Sequence, residues 1–261
     1  MTSQNILSEK LKTNSLVLGT WNLINDPTVI EIFALANFDF IIIDMEHGTH
    51  SFSEASNLIR AAESRGIIPL LRPQGVDESS ILRALDCGAH GLMVPNINSV
   101  EQVEKLIMYS YYPPLGSRGH SPFTRCGNFD YLNCSDRMKE LNKNLFLGIL
   151  IEGSDGINSL EEILAKFSNY LNVIYVGLYD LAKTIGCPGD VKNNKVSKCI
   201  YDISRLCNQN GISVGIVIND DEMFQTAIKS EVKFICYQND TGILFEAAKK
   251  LSQKYKNITN S

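Results

Sequence analysis

The strongest constraint on the fold is an alternation. Eight short apolar runs of β type are each followed by a stretch whose apolar residues recur at helical spacing. The runs lie at 16–20, 40–44, 67–72, 91–94, 145–152, 173–177, 213–217 and 234–237. The helical stretches lie at 29–36, 52–64, 79–86, 100–108, 160–167, 196–209, 222–229 and 243–255. Runs such as Phe40-Ile41-Ile42-Ile43 are apolar without a break, as a strand covered on both faces requires. Eight β-then-α units in 261 residues match the count and length of a TIM (β/α)8 barrel, an α/β fold. No break in composition divides the chain, so a single domain over 1–261 is expected, with a short amphipathic helix in the segment 1–14 and a frayed tail at 254–261. A doubly wound sheet would place G-x-G-x-x-G after its first strand, and Leu18-Gly19-Thr20-Trp21 is not that pattern.

Composition narrows the class of partner. With 44% hydrophobic and 20% charged residues the chain has ample apolar material for a full core. A net charge of -5 argues against nucleic acid or an anionic membrane surface, which call for a basic face, and favours a small-molecule substrate. No run is long enough to span a bilayer, and the first residues lack the apolar core of a signal peptide. The seven cysteines are scattered, without a C-x-x-C pair, which points to a reducing cytoplasm.

In a barrel the chemistry sits beyond the carboxyl ends of the strands. Those ends supply Trp21 after the first strand, Asp44, Glu46 and His47 after the second, and Arg72 after the third. Pro95 and Asn96 follow the fourth, Glu152 the fifth, Asp180 the sixth, and Asn219 and Asp220 the seventh. Carboxylates crowded into one mouth repel unless a cation joins them, so Glu152 and Asp180 are expected to bind a divalent metal. A set rich in oxygen donors favours Mg2+ or Mn2+, with Co2+ a third candidate, and no organic cofactor is expected. Arg72 ends a buried strand and needs an anion, either a substrate or Asp44 or Glu46. The irregular stretch 111–129, rich in proline and glycine, is long enough to be a lid or a subunit contact. Its Arg125 could meet an anionic substrate tail, the alternative being a solvated surface role.

The chain resembles the HpcH/HpaI family of metal-dependent, class II 2-oxo-acid aldolases. The likeness runs through Gly19-Thr20-Trp21, Asp44-Met45-Glu46-His47-Gly48, Arg72-Pro73, Leu85-Asp86-Cys87-Gly88-Ala89 and Val94-Pro95. It continues in Tyr112-Pro113-Pro114-Leu115-Gly116-Ser117-Arg118-Gly119, Ile151-Glu152 and Gly177-Leu178-Tyr179-Asp180-Leu181. The resemblance implies reversible aldol cleavage of a 4-hydroxy-2-oxo acid to pyruvate and an aldehyde. It implies metal ligation by Glu152 and Asp180, stabilisation of the enolate oxygen by Arg72, and acid/base work by His47. Asp44 and Glu46 would orient that histidine or hold water, and Trp21 and the segment Gly177, Leu178 and Tyr179 would contact substrate. Asp86 matches an aspartate paired with the histidine; lying before its strand, it could act only from a neighbouring subunit or indirectly. The resemblance further implies a homo-oligomer, a hexamer or trimer, with the C-terminal helix exchanged between subunits.

Three positions depart from the family pattern. Leu150 stands where many members have glutamine, and Leu178 and Ala182 stand where Gly-Pro-x-Asp-Leu-Ser is usual. Each removes a polar group or a rigid proline from the mouth. An oxaloacetate-type decarboxylase using the same enolate is the alternative function, and a barrel turned to binding or assembly is a minor one.

Overall fold

The computed structural model describes residues 6–258. Eight parallel strands close into a barrel in chain order: β1 Val17–Asn22, β2 Phe40–Asp44, β3 Ile68–Arg72, β4 Gly91–Val94, β5 Phe146–Ile151, β6 Val173–Val176, β7 Ser213–Ile218 and β8 Phe234–Asn239. β1 pairs with β8 to complete the cylinder, with a shift in register between Gly19 and Trp21. The TIM barrel expected from the alternation is the observed fold, and every strand overlaps its predicted run. The turns between strand and helix are sharp because they end in capping residues. Asp26, Asp77 and Asp220 accept hydrogen bonds from backbone N–H groups of the helix that follows, and Ser51 with Glu54 and Ser99 with Gln102 form capping boxes.

Alternation along each strand sorts its side chains between two cores. Ile41 and Ile43 face the helices, whereas Phe40 and Ile42 enter the barrel with Leu70, Met93, Phe146 and Phe234. Phe40 and Phe234 stack at 4.1 Å between ring centroids, with Phe146 5.9 Å from Phe234. Gly19 makes room for this stack, since a Cβ there would lie 2.2 Å from the Phe40 ring. Leu7 and Leu11 of the N-terminal helix Ile6–Lys12 join the same cluster and plug the amino-terminal end of the barrel. Access to the interior is therefore left to the carboxyl ends of the strands.

Two helices lie outside the predicted set. Cys134–Asn144 is a polar helix with little apolar periodicity, and Leu178–Thr184 is shorter than two turns. The stretch between Ser110 and Cys134 holds neither helix nor strand, as its prolines and glycines suggest. The last helix runs Asp240–Ile258 and so takes in part of the segment 254–261 expected to fray, of which 259–261 lie outside the described residues. This helix starts firmly because the buried Asp240 carboxylate accepts the Asn22 side-chain N–H at 2.7 Å and the Ile24 N–H at 2.9 Å. Among the described residues no helix is long and apolar enough to cross a membrane.

Phe234→Ala should remove the centre of the aromatic stack and lower the free energy of unfolding by about 3–5 kcal/mol, measured by urea denaturation. A loss below about 1 kcal/mol would show that the interior does not depend on this stack.

Candidate active site

Register builds the first part of the mouth. Asp44 and Arg72 are direct partners in the β2–β3 ladder, so their side chains leave the barrel together. Arg72 Nε donates to Asp44 Oδ1 at 2.8 Å, and Nη2 donates to Oδ2. Nη1 lies 3.1 Å from Glu46 Oε2, and the guanidinium covers the Trp21 indole at 4.3 Å from the ring centroid. Burial opposes the Arg72 charge, but the Asp44 hydrogen bonds and the charges of Asp44 and Glu46 outweigh it and hold the arginine above its ordinary pKa. Asp44 Oδ1 also accepts the backbone N–H groups of Glu46 at 3.0 Å and His47 at 3.2 Å. That carboxylate thus folds the chain after β2 into a turn that exposes the His47 ring at the rim.

A cavity of about 650 Å³ opens above these groups and reaches across to β5 and β6. Glu152, just past β5, lines it with Oε1 accepting the Asn96 N–H at 2.9 Å. Asn96 follows β4 with φ +57, and its side-chain amide donates to Glu46 at 2.9 Å, so one residue links two acids. Gly177 lets the Glu152 carboxylate press against the chain, because a Cβ there would stand 2.4 Å from Oε2. Asp180 lies in the first turn of Leu178–Thr184 at the exposed side of the cavity, with Lys183 Nζ 3.9 Å away. Burial raises the Glu152 pKa, and the charges of Glu46 and Asp180 add to the rise against the Asn96 N–H and Arg72.

This donor set suits a hard divalent cation. Three carboxylates share one space, and the single guanidinium there already serves Asp44 and Glu46. Glu152 and Asp180 line the cavity without an arginine of their own, so they are the residues that could hold such a cation. Among the described residues no group of three or more His, Cys, Asp or Glu is arranged to hold a metal, so oxygen ligands from outside the chain would have to fill the coordination sphere.

The other expected site residues divide between two places. Trp21, Leu178 and Tyr179 line the same cavity, the indole N–H donating to Tyr175 Oη at 3.0 Å. Leu150 lines it too, as a buried apolar wall. Arg125 lies away from the mouth of its own barrel: it lines a separate cavity of about 370 Å³ with His90 and Arg118, and its guanidinium pairs with Glu63. Asp86 lies on the same side, accepting from Arg118 at 2.8 Å. His50 and His90 are buried, with ring nitrogens hydrogen-bonded to Asn22 O and to Glu63. Sequence reasoning gave no role to Asn96, Asn219, Gln238 or Glu246, all of which line the mouth. Asn96 and Asn219 were visible as strand-end residues, but Gln238 lay beyond the predicted end of its strand.

The HpcH/HpaI aldolase/citrate lyase family model matches residues 18–247. The chain belongs to that family. The 5-keto-4-deoxy-D-glucarate aldolases of Shigella boydii serotype 18 and Escherichia coli O6:H1 are each 26% identical to it over 246 residues, 94% of this chain and 94% of theirs. The HpcH/HpaI aldolase of Desulfitobacterium hafniense DCB-2 superposes with a TM-score of 0.89 at 28% identity, covering 96% of both chains. The citrate synthase SbnG superposes with a TM-score of 0.86 at 27% identity, over 98% of this chain and 99% of that one. The family member described here is thus an enzyme of the aldolase/lyase type, acting on small molecules.

The raised Glu152 pKa gives a prediction for the metal-free protein. A carboxyl whose folded pKa exceeds its unfolded value stabilises the fold below the ordinary value of 4.5 and loses that contribution as pH rises through the folded value. In EDTA, Glu152→Gln should therefore gain stability relative to the parent as pH goes from 4.5 to neutrality, followed by thermal unfolding at each pH. A variant less stable at pH 7, with a difference independent of pH, would contradict the crowding of these acids.

Proposed function

We propose that this protein is a divalent-metal-dependent lyase that reversibly cleaves a 4-hydroxy-2-oxo acid to pyruvate and an aldehyde through the pyruvate enolate. The observation that supports it most is the convergence of Glu46, Glu152 and Asp180 around a cavity whose one arginine is already occupied. Aldolases of this family are generally divalent-metal dependent. Mg2+, Mn2+ or Co2+ held by Glu152 and Asp180 would supply Lewis acidity toward the 2-oxo acid.

The chain's own residues do the rest. Arg72, fixed by Asp44 and by the Trp21 face, presents permanent positive charge to the oxygen that becomes negative as the carbon-carbon bond breaks. His47 at the rim takes the proton from the aldol hydroxyl in cleavage and returns it in synthesis. Asp44 positions that histidine through its backbone N–H, and Glu46 is steadied by Asn96 and Arg72. Gly177, Leu178, Tyr179 and Trp21 close the cavity around the keto acid, and Leu150 makes it more apolar than a glutamine would. Asp86, remote from its own mouth, would act from a neighbouring subunit.

We further infer a cytoplasmic homo-oligomer of single-barrel subunits, a hexamer or trimer. Its support is the unpaired state of all seven cysteines and the exposed Leu244, Phe245, Leu251 and Tyr255 on the last helix, which suit packing against a second copy. The likeness to a citrate synthase supports a second reading, in which the same enolate serves another bond, with decarboxylation of oxaloacetate as its probe.

Exchange of the pyruvate methyl protons in D2O, followed by NMR, tests enolate formation without knowledge of the aldehyde. The exchange should need Mn2+ or Mg2+, stop with EDTA, and fall on the order of 10²-fold or more in Glu152→Gln. Exchange at full rate in EDTA would refute a metal-dependent enolate.

A further inference from the structure

Charge is unevenly spread around the mouth. From β2 to β6 the cavity is lined by Asp44, Glu46, His47, Arg72, Glu152 and Asp180. From β7 round to β1 its lining is neutral, with Asn219 and Gln238 beside Val217, Leu23 and Trp21. The exception is Glu246, exposed on the last helix one turn beyond Gly242. Among the described residues Arg72 is the sole lysine or arginine lining the cavity, and Asp44 and Glu46 hold it.

The neutral wall has defined geometry. Asn219 Nδ2 donates to Tyr179 Oη at 2.8 Å, a clasp that joins the β6 and β7 sides of the rim. Tyr237 Oη donates to the Asn219 carbonyl at 3.3 Å and steadies that residue from β8. Gln238 adopts φ +46, in the left-handed region that favours glycine, and such a conformation persists where the surroundings enforce it. Gly242 leaves room for its amide, because a Cβ there would lie 2.8 Å from Gln238 Oε1. Two amides and a phenol offer both donors and acceptors, which suits hydroxyl groups.

A divalent cation and the carboxylate of a 2-oxo acid together leave this mouth net negative, given its five acidic residues and one arginine. A second carboxylate, on the aldehyde side, would face Glu246 with no lysine or arginine of the same chain, among the described residues, lining that wall. We propose that the site takes an aldehyde whose far end is neutral and hydroxylated, held by Asn219, Gln238 and Tyr179, and that Glu246 rejects aldehydes bearing a carboxylate. This specificity rests on the pyruvate-lyase reading above. It sets the chain apart from a dicarboxylate of the kind that the name 5-keto-4-deoxy-D-glucarate denotes.

Two ligands of equal length separate the cases. 2-Oxopentanoate and 2-oxoglutarate share the keto-acid head and differ at the far end, methyl against carboxylate. Titrated calorimetrically into the Mn2+-loaded protein, 2-oxopentanoate should bind about tenfold tighter or more, and the gap should narrow in Glu246→Gln and in high salt. With pyruvate as the donor, glycolaldehyde should exceed glyoxylate in kcat/KM by about the same factor, and Glu246→Gln should narrow that ratio too. Preference for 2-oxoglutarate, or an unchanged gap in Glu246→Gln, would overturn the assignment. If pyruvate methyl exchange is intact, that result removes the specificity alone; if the parent protein neither exchanges those protons nor binds either keto acid, the lyase reading has failed and the specificity with it.

Discussion

The mouth of the barrel depends on the pairing of Arg72 with Asp44. Both residues are almost fully buried, 9% and 2% exposed, and their register in adjacent strands commits them to each other. Removing either partner of such a pair typically costs about 3–5 kcal/mol because the remaining charge is stranded. Here the pair also spends the positive charge of the site. Asp44 and Glu46 take up the guanidinium, and Glu152 and Asp180 face the same space without an arginine of their own. The negative balance of the mouth follows from that distribution more than from any single acid.

The barrel supplies the rest of the constraint. Parallel strands closed in chain order bring eight carboxyl ends to one rim, and the N-terminal helix seals the other end with Leu7 and Leu11. Below the rim, the Phe40, Phe146 and Phe234 stack fills the interior. Burial then acts on the chemistry directly, since Glu152 at the edge of this dry interior has its pKa raised. Gly177 is part of the same economy of space, its missing side chain being what admits the Glu152 carboxylate.

Much of this was legible before any coordinates. Strands covered on both faces read as unbroken apolar runs, so Phe40-Ile41-Ile42-Ile43 and its counterparts announce themselves, and their ends point to Asp44, Arg72 and Glu152. Asp180 was legible as an acid after the sixth strand, although the helical turn that bears it was too short to signal. Other features depend on contacts distant in sequence. Arg125 pairs with Glu63, 62 residues away, a contact that no local pattern encodes. Gln238 acts through a left-handed backbone, at +46, that ordinary propensities do not anticipate for glutamine, whereas Asn96, at +57, is of a residue type that takes this conformation readily. The polar helix Cys134–Asn144 escaped because helical period is read from apolar residues, and it has few.

The most direct test of the central claim is a titration of Mn2+ into the protein, read by the loss of the free-ion electron paramagnetic resonance signal. One Mn2+ should bind per chain, pyruvate should tighten it, and Glu152→Gln and Asp180→Asn should each weaken it by about tenfold or more. Binding that is absent in the parent protein, or unchanged in both variants, would contradict the view that these two carboxylates converge on a cation.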